Sequence, residues 1–268
     1  MELYQAKKQL YHKKVVDNRE VTMEFALNDL LSQSTINRLN VAVGYFYISG
    51  LILIKEKFTE FMDVHQGKLN ILMGNETNKM TVDTIDTAYT IAESTDVYLK
   101  NSYLSAFQTD IKSLDETDQT FLLKFLEWVE QERIEVKVYT GTANYFHAKS
   151  YLCYSKENEL IGHSIVGSSN FSKNGLLGNT ELNVYSADGF LALNEWFTSV
   201  WQSDEVEPFS QELIKVIHRV YPEINNNKRY KPTSETYYDF ANIFAKPYFE
   251  LDDNEIWDTL YVTKEVEY

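Results

Sequence analysis

Cysteine, proline and glycine are all scarce in this chain: one, four and ten of 268 residues. The single Cys153 excludes an intrachain disulfide and a cysteine-rich zinc site. So little glycine and proline excludes a collagen-like or low-complexity chain. No stretch of about 18 uncharged apolar residues exists, so no membrane-spanning helix and no membrane partner are expected. The first residues, Met1-Glu2-Leu3-Tyr4, lack the basic-then-apolar order of a secretory signal, and a cytoplasmic protein is the expectation. Positive charge is short as well. Lys and Arg number 25 against 40 Asp and Glu, a net of −15. A chain this acidic is repelled at long range by nucleic acid and by anionic membranes. Handling either requires a local basic or neutral cleft, or a partner. The acid is uneven: from Glu250 to Tyr268 there are seven acidic residues and one lysine.

What is present suits a globular fold, with 44% hydrophobic and 24% charged residues. The length allows one large domain or two small ones. Met1 to about Thr35 is polar and patterned as helix. Leu39 to Ile48 is nearly continuous in apolar, β-branched and aromatic residues, which reads as a buried strand. Ser49 is placed to cap a helix through about Val64, ended by Gly67. Lys68 to Gly74 is a second strand, so this stretch reads as a βαβ unit with parallel strands. Helices are expected over Thr81–Phe107, Gln119–Gln131, Leu191–Trp201 and Pro208–Val220. Strands are expected over Ile134–Thr140, Phe146–Tyr154, Leu160–Gly167 and Glu181–Ser186. That order predicts an α/β domain with a mixed, largely parallel sheet and helices on both faces. It spans residues 1–222, including an N-terminal helical arm. A polar linker, Asn225 to Pro232, then leads to an acidic, aromatic segment, residues 223–268 in all.

One constellation carries chemistry. Phe146-His147-Ala148-Lys149 is followed by Gly167-Ser168-Ser169-Asn170, then by Asn179-Thr180-Glu181-Leu182-Asn183. On a strand, residues two apart share a face, so His147 and Lys149 project together. A neutral imidazole beside a fixed cation suits attack on a phosphodiester: the ring is the nucleophile and the ammonium holds phosphoryl oxygens. Ser168, Ser169 and Asn170 offer hydroxyls, an amide and backbone N–H groups to the phosphate. Glu181 is placed to accept from the other nitrogen of His147 and fix its tautomer. His163, His65 and His218 read as structural or surface residues, and Cys153 as core. His12-Lys13-Lys14 repeats the His-x-Lys spacing, but no Gly-Ser-x-Asn follows it.

With these residues the sequence resembles the phospholipase D superfamily, which pairs His-x-Lys on one strand with Gly-Ser-x-Asn after the next. In its nuclease branches with one motif per chain, a Glu about ten residues beyond the Asn supports the catalytic His, and Glu181 matches it. The chain departs from the full motif at Tyr154, where the pattern has Asp. The front half, Val41 to Phe46 with Ser49-Gly50 and Leu72 to Thr77, is similar to phospholipase D-like domains that precede Swi/Snf-type helicases in bacteria.

The resemblance implies a fold, a mechanism and partners. One His attacks phosphorus to form a phosphohistidine, a second protonates the leaving oxygen, and water resolves the intermediate. No metal or other cofactor is expected. The second His would come from a second copy of the chain, giving a homodimer with a composite site. A DNA endonuclease in restriction or phage defence, with a helicase or ATPase as partner or fused domain, is the leading expectation. A lipid phosphodiesterase and a non-catalytic nucleic-acid or partner-binding module are the alternatives. Lys149, Lys173 and Lys156 are expected to supply local positive charge.

Overall fold

The computed structural model describes residues 9–74, 107–112, 114–141 and 146–221. The elements below all lie in the compact unit Met1–Val220. The proposed linker and acidic segment, and nearly all of the expected helix from Thr81, fall outside the described residues.

Among the described residues, eight strands form one sheet: β1 (Val15–Val16), β2 (Ile36–Val43), β3 (Lys68–Met73), β4 (Ile134–Tyr139), β5 (Ser150–Ser155), β6 (Gly162–Gly167), β7 (Asn183–Ser186) and β8 (Val206–Pro208). Their spatial order is β1-β7-β6-β5-β2-β3-β4-β8. The mixed α/β sheet agrees with expectation, but the balance of directions does not. Among these eight strands, the β2–β3 and β3–β4 pairings are parallel and the other five are antiparallel. The reason is connection length. A parallel neighbour needs a crossover of a dozen or more residues, whereas β5 returns into β6 through a short turn and can only run antiparallel. The two-residue β1 and three-residue β8 edge strands were not expected from the sequence.

The helices are α1 (Met23–Leu31), α2 (Ile48–Leu53), α3 (Lys55–Asp63), α4 (Glu116–Glu130), α5 (Phe190–Trp201) and α6 (Ser210–Val220). Residues 107–112 are also helical. The single helix expected after Ser49 is two, broken at Ile54, whose φ of −111° and ψ of 14° leave the helical region. Helices cover both faces of the sheet. α5 packs Phe190 and Phe197 against Ala42, Leu72, Leu152 and Tyr154 on one face. On the other, Tyr151 meets Phe171, Phe171 meets Phe46, and Phe46 meets Phe125 of α4 in one chain of ring contacts. Among the described residues, no helix is long and apolar enough to cross a membrane.

Candidate active site

Every residue of the predicted constellation lies at or near one end of the sheet. His147 and Lys149 are not on a strand, as expected, but just before one: β5 begins at Ser150. The cause is the neighbours. β2 ends at Val43 and β6 at Gly167, so the ladder that would hold residues 146–149 has run out. A hydrogen bond from Gly167 N to Lys149 O, 3.1 Å, is the last link. His147 is thereby exposed. Lys149 is only 6% exposed, and its Nζ donates to His147 O at 3.1 Å. The ammonium is thus tied to the backbone of the residue it is proposed to assist.

Asn170 is brought to the same place by its own side chain. Its Oδ1 accepts from Gly44 N at 2.9 Å and Tyr45 N at 3.3 Å, where β2 ends. With the oxygen committed to the main chain, the amide plane is fixed, and among the described residues no acceptor takes its Nδ2 protons. Two close backbone approaches complete the arrangement. A Cβ on Gly175 would lie 2.2 Å from Asn170 O, and one on Gly74 would lie 2.7 Å from Phe146 O and 3.0 Å from Gly44 O. Only glycine permits either approach. The second places the segment leading to His147 against the ends of β2 and β3.

The two serines have different fates. Ser168 is exposed; its Oγ donates to the Glu181 carboxylate and accepts from Leu182 N at 2.9 Å. Ser169 is fully buried, its Oγ accepts from Asn183 Nδ2 at 2.9 Å, and its carbonyl accepts from Tyr151 Oη at 3.0 Å. The phosphate contact expected of the Ser169 hydroxyl is therefore corrected: that hydroxyl faces inward and holds the loop. Glu181 does not open a strand, since β7 starts at Asn183. Its carboxylate also accepts from Asn179 Nδ2 at 3.2 Å. Burial, with the Glu181 charge adding, pushes the Tyr151 hydroxyl well above its ordinary pKa, so it remains a donor under the loop.

Asn183 was not singled out from the sequence, yet it organises the loop. Its Oδ1 accepts from Ser168 N and Ser169 N, both at 3.1 Å, and its Nδ2 donates to Val16 O and Ser169 Oγ. It is 1% exposed. The available signal was its place two residues beyond Glu181, at the start of a strand.

Lys173, three residues after Asn170, is exposed. Lys156 is not at the site: it follows Ser155, the last residue of β5, whereas Lys149 precedes the first. Tyr154, standing where the motif has Asp, points into the core. Its hydroxyl donates to Asn194 Oδ1 and accepts from Asn40 Nδ2, both at 2.8 Å. His163 is structural, with Nδ1 2.7 Å from Tyr185 Oη and the two rings stacked. Among the described residues, no three His, Cys, Asp or Glu side chains group as a metal site.

A family model described as cardiolipin synthase, PLD-like domain, matches residues 69–201, from β3 through α5. The chain belongs to the phospholipase D superfamily. No curated protein matches it. Similar solved structures include phosphatidylserine synthase of Haemophilus influenzae, at 13% identity and a TM-score of 0.46, covering 80% of this chain and 44% of that one. Nuc of Salmonella typhimurium, a phospholipase D family member, is 10% identical with a TM-score of 0.40, over 72% of this chain and 95% of that one. NucT of Helicobacter pylori is 15% identical with a TM-score of 0.34, over 68% and 90%. This superfamily member spans less than half the length of the Haemophilus synthase.

Proposed function

We propose that this phospholipase D-like chain is a metal-independent endonuclease that cleaves DNA through a covalent phosphohistidine. The observation that carries the reading is the convergence of exposed His147, the tethered Lys149 and an Asn170 amide fixed by its oxygen. An imidazole nitrogen of His147 attacks phosphorus, and the bond from phosphorus to the leaving oxygen breaks. Lys149 and Asn170 Nδ2 hold the non-bridging oxygens as charge builds on them, while Ser168, whose hydroxyl proton goes to Glu181 and whose N–H goes to Asn183, fixes the loop beside them. A general acid must protonate the leaving oxygen. The His147 of a second copy supplies that proton across a two-fold axis, then takes a proton from the water that hydrolyses the phosphohistidine. Glu181, anchored by Ser168 and Asn179, orients the imidazole. The nucleophile and the cation are both side chains, so the chemistry runs without a metal. The setting in which this activity is used is bacterial restriction or phage defence alongside a helicase.

Cleavage of plasmid and single-stranded DNA in EDTA tests the proposal. Activity is expected to survive chelation, and mixtures of wild-type and His147→Ala chains are expected to form heterodimers with little activity. Strict dependence on Mg²⁺ or Mn²⁺, or full activity in a monomer by light scattering, overturns it.

A further inference from the structure

Beside His147 opens a cleft of about 450 Å³ that the hydrolysis proposed above does not use. Its size lies within the roughly 300–1,000 Å³ range of small-ligand sites. Three near-parallel rings line it. Tyr139 and Phe146 lie 5.2 Å apart at 28°, and Phe146 and Trp196 lie 6.3 Å apart at 16°. They come from the end of β4, the segment leading to His147, and α5. Tyr139 and Phe146 are buried, whereas Trp196 is 38% exposed. Two polar groups share the cleft. Tyr139 Oη donates to Glu205 Oε2 at 2.8 Å, which fixes the carboxylate and leaves Oε1 to accept. Ser203 Oγ is shielded from solvent and has no hydrogen-bond partner among the described residues.

We propose that this cleft takes one unpaired nucleobase of single-stranded nucleic acid, next to the phosphodiester held at His147. The inference rests on the phosphodiesterase reading and names the part of the substrate that the site recognises. A flat exposed ring backed by parallel rings matches the face of a base. The Glu205 oxygen matches an exocyclic amino donor such as cytosine N4, and the orphan Ser203 hydroxyl matches the polar edge. A carboxylate here repels phosphate, so the anionic part of the substrate stays on the Lys149 side while a neutral ring enters the cleft. A quaternary ammonium headgroup is favoured by rings set around it as a cage. Here the rings are near parallel and offer a stacking face. A base within a duplex is already stacked and paired, so a single strand enters at lower cost.

Intrinsic tryptophan fluorescence in His147→Ala, which blocks cleavage, tests the inference. The probes are a ten-nucleotide oligo-dC, an abasic strand of equal length and charge, duplex DNA and phosphocholine. Oligo-dC is expected to quench saturably and to bind about tenfold tighter than the abasic strand, equivalent to ~1.4 kcal/mol. Trp196→Leu, read by anisotropy of a labelled strand because the variant lacks the reporting ring, and, separately, Glu205→Gln are each expected to erase that preference. Gln still accepts from Tyr139, so the second variant tests the cleft even if the first fails to fold. Equal affinity for base-bearing and abasic strands, or a preference that survives both substitutions, overturns the inference. Saturable quenching by phosphocholine without a base preference overturns it in favour of a cationic headgroup. Wild-type hydrolysis of methyl p-nitrophenyl phosphate, which carries no base, reads the phosphodiesterase proposal by itself. If that hydrolysis is absent while the base preference holds, the proposed chemistry fails and the base subsite stands.

Discussion

Strand β5 has a polar cluster at each end, and the two are built to opposite rules. At its start, His147 is exposed and Asn170 Nδ2 has no acceptor among the described residues. At its finish the hydrogen bonds close on one another. Asn70 donates to Asn40, Asn40 to Tyr154 and Tyr154 to Asn194. Arg38 lies over the Tyr154 ring at 4.0 Å and pairs with Glu159 at 3.2 Å. Polar groups that satisfy each other specify a packed structure. A polar group held in place with an unused donor, as Asn170 Nδ2 is among the described residues, is ready for a substrate. The first cluster should therefore control activity with little effect on stability, and the second the reverse.

The largest test of that contrast is His147→Ala. Cleavage is expected to fall by at least about a thousandfold, ~4 kcal/mol in the barrier. The thermal midpoint is expected to stay within a few degrees of wild type, because an exposed side chain supports little packing. Oligonucleotide cleavage in EDTA and calorimetry measure the two effects. A large loss of stability would break the contrast at its active end.

Tyr154→Phe is the converse. It removes the hydroxyl between Asn40 and Asn194 and leaves buried Asn40 Nδ2 without its acceptor. A loss of about 1–3 kcal/mol is expected in urea unfolding, with cleavage retained by the folded variant. Abolished cleavage would instead give Tyr154 the role of the motif's Asp.

Glu181→Gln sharpens the active end. The shape stays but the charge goes, and hydrolysis is expected to fall about tenfold, ~1.4 kcal/mol in the barrier. DNA affinity, measured by anisotropy, is expected to change little. A tenfold loss of affinity would make Glu181 an organiser of the phosphate loop through Ser168.

The smallest effect concerns His163, which belongs to neither cluster. Burial holds its imidazole below the ordinary pKa of 6.5. It is neutral in the fold and takes up a proton more readily when unfolded. Its contribution is present above about pH 6.5 and is lost as pH falls from there through the lower folded value. His163→Ala is expected to cost on the order of 1 kcal/mol at neutral pH and to flatten that decline, read from denaturant unfolding at several pH values. Cleavage is expected to continue. Its complete loss in a folded variant would move the catalytic partner to His163.

Much of the sheet was legible because its strands are either apolar runs, as at residues 69–73, or alternate, as at residues 134–139. Residues 69–73 and 134–139 could be placed from pattern alone, and β2 and β3 pair in parallel as a βαβ unit must. The residues of the site were legible for a different reason: His147, Lys149, Asn170 and Glu181 keep fixed spacings along the chain. Their setting was not. Ser168 and Ser169 are neighbours of the same type, yet one is exposed and the other fully buried. Asn183 escaped notice because an asparagine at a strand start is ordinary until its four hydrogen bonds are seen. Tyr154 carried no mark of its partners, since Asn40 and Asn194 lie far from it in the chain.

By itself the sequence determined the residue types and the local periods: where apolar runs make strands, and where a histidine and a lysine stand two apart. Both follow from short-range geometry, which a few consecutive residues carry. The tertiary structure decided which strands run antiparallel, where β5 stops short of Lys149, which serine faces inward and that three rings line a cleft beside His147. Those outcomes depend on which distant segments end beside one another, and hydrogen bonds and ring contacts between such segments form only once the sheet is assembled.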